Sequence, residues 1–155
     1  MIDLLCDYGA TADGAMNAAL GHGEFDAAKA LIRRGARIDL VVAAAMGCTD
    51  NVSQQLNAAN SEQRHQALAM CTQHGHVAIV EVLLDAGEDP DRYNPAGFHA
   101  HTTPLHQAVL AGHLDVVKLL VSRGARTDIV DKNFKASALD WATHAGHVDI
   151  KKILA

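Results

Sequence analysis

What most constrains this chain is that it repeats itself. The run Gly112-His113-Leu114-Asp115-Val116-Val117-Lys118-Leu119-Leu120 can be written beneath Gly75-His76-Val77-Ala78-Ile79-Val80-Glu81-Val82-Leu83 and above Gly146-His147-Val148-Asp149-Ile150-Lys151-Lys152-Ile153-Leu154. A poorer copy is Gly23-Glu24-Phe25-Asp26-Ala27-Ala28-Lys29-Ala30-Leu31-Ile32, and Ile2 to Gly9 is the tail of another. Self-similarity at this scale means a stack of like units, in which no unit buries its apolar side alone. Within a unit, Leu114, Val117 and Leu120 recur at helical spacing. The Gly-His pair before them reads as a tight turn between two helices, and Gly124 after them as a helix stop in the left-handed conformation. Upstream, Thr103-Pro104 reads as the N-cap and first residue of a short preceding helix, where proline's missing N–H costs nothing.

The run Thr103-Pro104-Leu105-His106-Gln107-Ala108, followed by Gly112-His113 and Gly124-Ala125, resembles the ankyrin repeat and meets its T-P-L-H-x-A signature at every fixed position. Ser137-Ala138-Leu139-Asp140-Trp141-Ala142 and Gln66-Ala67-Leu68-Ala69-Met70-Cys71 are decayed copies. The tetratricopeptide repeat, also a helix pair, would carry a tryptophan and tyrosine signature that is missing. The resemblance implies an all-α solenoid of helix pairs. A partial repeat is expected at 1–10, and helix pairs at 14–36, 40–61, 62–87, 103–125 and 137–155, all in one domain.

The spacing departs from the family's. With closing positions at Gly9, Gly35, Asn60, Gly87 and Gly124, the intervals are 26, 25, 27 and 37 residues, against about 33 for the standard repeat. Asn60 enters the series because asparagine also tolerates the left-handed conformation. Two helices use most of 26 residues, so the N-terminal half is expected to have short links, such as Arg37-Ile38-Asp39, in place of fingers. The fourth interval holds one long, turn-rich finger loop at about 88–102, with Pro90, Pro95 and Gly97. Around Asp50 to Ala59 only Val52 and Leu56 supply large apolar residues, so this second full repeat is the expected soft layer. The ends carry Leu4, Leu5, Ile153 and Leu154 where a solenoid expects polar caps. The reading is therefore a monomer or a piece of a longer chain.

Composition narrows the function. Six aromatics and a bias to Ala, Leu, Val and Ile suit thin stacked helices better than a sandwich or barrel. Net charge is −5 with scattered Lys and Arg, which argues against nucleic acid. No apolar run approaches a membrane span, and the N-terminus lacks a signal-peptide pattern. Three widely spaced cysteines, Cys6, Cys48 and Cys71, read as free and mostly buried thiols in the reducing cytoplasm.

No motif carries catalysis: G-x-S-x-G, H-E-x-x-H and a phosphate-binding glycine loop are all missing. No cofactor and no metal are assigned. His76, His113 and His147 share one repeat position, so stacking sets them about one layer, ~10 Å, apart, against about 2 Å for a zinc–nitrogen bond. Bonding to backbone at the turn is the better role. For His106 the resemblance implies a hydrogen bond between repeats. His22, His74 and His144, near the ends of first helices, are expected to be exposed. Only His99 and His101, on the long loop with Asp89 and Asp91 upstream, leave a metal open as a minor reading.

In ankyrin proteins the inner helices and fingers form a concave face where partners bind. The positions so implied are Gln73 and His74, then Phe98, His99, His101, Thr102, Leu110 and Ala111, then Lys132, Asn133, Phe134, Lys135 and His144. Phe98 and Phe134 are the expected aromatic anchors, with Phe134 equally placed to plug its finger where the family has glycine. Trp141 is read as core. The expected function is a scaffold that binds another protein. The alternative is a targeting arm of a longer regulatory or effector protein whose enzymatic domain lies outside this chain.

Overall fold

The computed structural model describes residues 12–155; the partial repeat at 1–10 lies outside them. Within that range ten helices follow in order. They are α1 (Ala12–Gly21), α2 (Phe25–Arg33), α3 (Leu40–Met46), α4 (Thr49–Gln55), α5 (Ser61–His74), α6 (Val77–Asp85), α7 (Pro104–Ala111), α8 (Leu114–Ser122), α9 (Ala138–Ala145) and α10 (Val148–Leu154). Each odd-numbered helix packs on the even one that follows it. The inner helices α1, α3, α5, α7 and α9 pack in succession, as do α4, α6, α8 and α10 behind them. The described chain is thus an all-α helix-pair solenoid.

Local chemistry sets the helix starts. Thr103 is extended at the head of α7, and its hydroxyl donates to His106 Nδ1 at 2.8 Å. That leaves His106 Nε2–H to donate to Ala136 O of the next repeat at 3.2 Å, the bond that the family resemblance implies. Ser137 caps α9 in the same way with Asp140 in place of the histidine, the carboxylate taking both the Ser137 N–H and the hydroxyl. Asp39 caps α3 by accepting from Val42 N–H.

Asn60 corrects the sequence reading. It does not end a helix in the left-handed region; at φ −76° and ψ 169° it is the N-cap of α5. It accepts from Gln63 N–H at 2.8 Å while the Gln63 side chain accepts from Asn60 N–H at 3.0 Å, a reciprocal capping box. The second repeat consequently ends without a glycine stop, in turns over 56–60. The links 34–39 and 56–60 carry no finger.

Between helices of a pair, the turn glycine does two things. Gly75 and Gly112 sit at φ 79° and 75°, where only glycine is relaxed. A Cβ on Gly75 would also stand 2.7 Å from the His113 ring, and one on Gly112 2.9 Å from the His147 ring. Those rings reach back one repeat: His76 to Ala45 O at 2.9 Å, His113 to Gln73 O at 2.9 Å and His147 to Leu110 O at 3.4 Å. The shared histidine position is therefore a ladder of ties between layers.

Two apolar clusters fill the interior. The larger runs from α3 to α10 through Leu68, Ile79, Leu83, Leu105 and Leu120. The smaller joins Met16, Leu20, Leu31 and Val42 to Met70 of α5. In the second repeat α3 is buried from Leu40 to Ala45, whereas α4 buries Val52 alone.

Candidate functional site

Among the described residues the two longest loops, 86–103 and 123–137, brace one another. Asp91 Oδ1 accepts from Arg126 N–H at 2.8 Å, Tyr93 donates its hydroxyl to Val130 O at 2.7 Å, and His101 O accepts from Lys132 N–H at 2.8 Å. Lys132 Nζ lies 4.2 Å from the Tyr93 ring centre. The first loop is anchored at its root by Arg64 Nε donating to Glu88 at 2.9 Å and by His65 Nε2–H donating to Tyr93 O at 2.8 Å.

From Asn94 to Thr102 the long loop closes on itself. Asn94 N–H donates to Thr102 O at 2.8 Å, and Thr102 Oγ1 donates to His99 O while accepting from Gln107 Nε2 at 2.9 Å. Ring closure by these bonds fixes a small compact loop whose tip, through Gly97 at φ 84° and His99 at φ 61°, turns Phe98 inward. Phe98 packs half-buried against the smaller apolar cluster.

The second loop is organised by one buried carboxylate. Asp131 accepts from the N–H groups of Asn133 at 2.9 Å, Phe134 at 2.6 Å and Ala136 at 3.1 Å, and from Trp141 Nε1 at 3.0 Å. Burial pushes this carboxyl up, but the four donors outweigh burial and hold it down at about 2. With its backbone pinned, Phe134 points outward, 76% exposed. It meets Leu110, 53% exposed at the end of α7, and Trp141, Asp140 and His144 of α9. These residues and Ala136 line one open apolar groove between α7 and α9. The Trp141 ring is held edge-on against His106, centroids 5.4 Å apart.

The candidate residues divide accordingly. Leu110, Phe134 and His144 come together in the groove; Ala111, Lys132, Asn133 and Lys135 are exposed beside it, Lys135 at φ 57°. His101 is half-buried and His99 exposed, their rings 6.3 Å apart and His101 6.4 Å from Trp141. Burial lowers the His99 pKa, and His101 and His22 lower it further.

Four positions need correction. Thr102 is wholly buried, its hydroxyl consumed in closing the loop. Phe98 is engaged in the smaller cluster instead of standing free as an anchor. Gln73 and His74 are half-buried and reach α1: Gln73 Nε2 donates to Gly21 O at 3.1 Å and His74 lies 2.9 Å from Leu20 O, with Phe25 edge-on to its ring. Burial pushes the His74 pKa down. Cys48 stands at the repeat position of His76, His113 and His147, and the side-chain tie to the first repeat comes instead from the longer α5. Cys48 is itself exposed, against the expectation of buried thiols, while burial raises the pKa of Cys71.

Trp141, Asp140 and Ala136 line the groove and are absent from the sequence-based set. Asp140 and Trp141 stand at the repeat positions of His106 and Gln107, which are buried in α7, so aligning the repeats assigns them to the interior, and Ala136 precedes the cap of α9. Among the described residues no three His, Cys, Asp or Glu side chains gather as metal ligands, and no helix is long and apolar enough to cross a membrane.

A family model described as ankyrin repeats (3 copies) matches residues 2–131 and 89–155. Over 126 residues the chain is 33% identical to cyclin-dependent kinase 4 inhibitor B of Rattus norvegicus, covering 77% of this chain and 92% of that protein. It is 33% identical over 121 residues to cyclin-dependent kinase inhibitor 2A of Homo sapiens, covering 74% of each. A shorter match, 31% over 86 residues, covers 54% of this chain and 13% of palmitoyltransferase ZDHHC17 of Rattus norvegicus.

Proposed function

Since the chain belongs to the ankyrin repeat family, we propose that it is a protein-interaction scaffold of the cytoplasm that holds a partner protein on its inner, loop-bearing face and catalyses nothing itself. The observation that carries this reading is the groove between α7 and α9. Solvated apolar side chains are ordinary when scattered, but Leu110 and Phe134 converge on Trp141 at one place, as binding sites do. The names of the kinase-inhibitor relatives are in keeping with action by binding. The partner's identity does not follow from one third identity, because a scaffold keeps its shape while its surface varies.

Contacts are proposed at Leu110, Ala111, Phe134, Trp141 and His144, with Lys132, Asn133, Lys135, His99 and His101 at the rim. Affinity purification from the native cell followed by titration of the recovered partner tests this. Phe134→Ala and Leu110→Ala should weaken binding about tenfold or more, and Lys118→Ala on outer helix α8 should leave it unchanged. Equal losses on both faces would overturn the assignment.

The second reading, a targeting arm of a longer protein, is favoured by the match to a small part of a palmitoyltransferase. Finding this chain fused to a catalytic domain in its native transcript would establish it.

A further inference from the structure

We propose that the groove between α7 and α9 receives an apolar side chain from a partner segment that also carries an arginine or lysine, positioned to pair with Asp140. This rests on the interaction reading above and adds to it the chemistry of the partner. In α7 the fourth capping-box position is His106, buried and turned into the next repeat. In α9 the same position is Asp140, exposed on the groove wall. The substitution replaces an interior tie with a surface anion. One oxygen, Oδ2, is engaged by the Ser137 N–H at 2.8 Å and hydroxyl at 2.7 Å. Oδ1 has no hydrogen-bond partner among the described residues, so the carboxylate is oriented by its cap and still has acceptor capacity.

The rest of the lining sharpens the choice. Leu110, Phe134, Ala136 and Trp141 are apolar floor and wall, and Asp140 is the one Asp, Glu, Lys or Arg among the lining residues. Lys132, close in sequence, is occupied over the Tyr93 ring. Lys135 follows Phe134 but is not part of the lining. The ionised state of Asp140 is favoured by its bonds to Ser137, and the chain as a whole carries −5. An acidic segment would set a like charge against Asp140 beside an apolar contact, whereas a cation there completes the open acceptor.

Selection of phage-displayed random 12-residue peptides on the immobilised chain tests the proposal, with the enriched peptides resynthesised and titrated by the fluorescence of Trp141, the single tryptophan. Enriched sequences should share one Leu, Ile, Met or Phe with an Arg or Lys within about four residues, one helical turn or two strand steps. Binding should weaken about tenfold with Asp140→Asn, and equally when the peptide's basic residue is replaced by glutamine, a change that leaves the protein's folding untouched. It should also fall as salt is raised. Peptides that lose affinity with Phe134→Ala yet ignore Asp140→Asn and the glutamine exchange would overturn the cationic partner and leave the interaction surface standing. Binding that follows Lys118→Ala instead would overturn both, and so would a selection that enriches nothing.

Discussion

At the residue scale, single polar groups hold the irregular parts of the chain. Asp131 replaces a whole stretch of secondary structure in the second loop by giving three backbone N–H groups and an indole one acceptor. Asp131→Ala should cost about 2–4 kcal/mol in urea unfolding, since it strands several buried donors. The same carboxyl sets an acid limit. Its folded pKa, about 2, lies below the ordinary 3.8, so its stabilisation is complete above pH ~4 and is lost as pH falls from there toward 2. In Asp131→Asn that loss should flatten, as thermal melts across pH 2–5 would show. His74, His99 and His106 lie below the ordinary imidazole value for the same first cause, burial. They resist protonation that the unfolded chain accepts, so stability should already decline as pH drops through about 6.5. A melting temperature unchanged between pH 7.5 and 5.5 would contradict this. Glycine positions give a sharper comparison. Gly112→Ala should destabilise by about 1–3 kcal/mol, from its left-handed backbone and the His147 ring; Gly124→Ala, with open space around its Cβ position, should lose only the backbone part.

At the element scale, the helix pairs were legible because their signals are local. Gly-His turns, the Thr103-Pro104 start and the apolar rows at helical spacing each lie within one turn of the structure they specify. Asn60 is misread because the same side chain suits a left-handed stop and an N-cap; Gln63, three residues on, was the signal that distinguishes them. Phe98 and Thr102 could not be read, since the contacts that consume them follow no periodicity: the smaller cluster takes one, and Asn94, His99 and Gln107, all within eight residues, take the other. The groove was half legible, with Leu110, Phe134 and His144 in the expected set and Trp141 and Asp140 outside it, because their repeat counterparts in α7, Gln107 and His106, are buried. The difference between the two phenylalanines is testable. Phe98→Ala should cost about 2–4 kcal/mol of the N-terminal layers' stability, read as faster hydrogen exchange in α1 to α3, while Phe134→Ala should stay within about 0.5 kcal/mol. Equal effects would show that the long loop does not brace the smaller cluster.

At the scale of the molecule, the stack is uneven. A solenoid's stability is a sum over neighbouring layers, and α4 contributes one buried side chain, Val52, where α6 and α8 contribute three each. Urea unfolding followed by far-ultraviolet dichroism should therefore begin at lower concentration than unfolding followed by Trp141, which reports the last repeat alone. Coincident curves would mean that the histidine ladder couples all layers into one transition.

The inward tuck of Phe98 also joins stretches that are far apart in the chain. Held by a nine-residue loop closed from Asn94 to Thr102, it lies against the cluster of Met16, Leu20, Leu31, Val42 and Met70, so the loop that follows the third described helix pair helps to seal the first two.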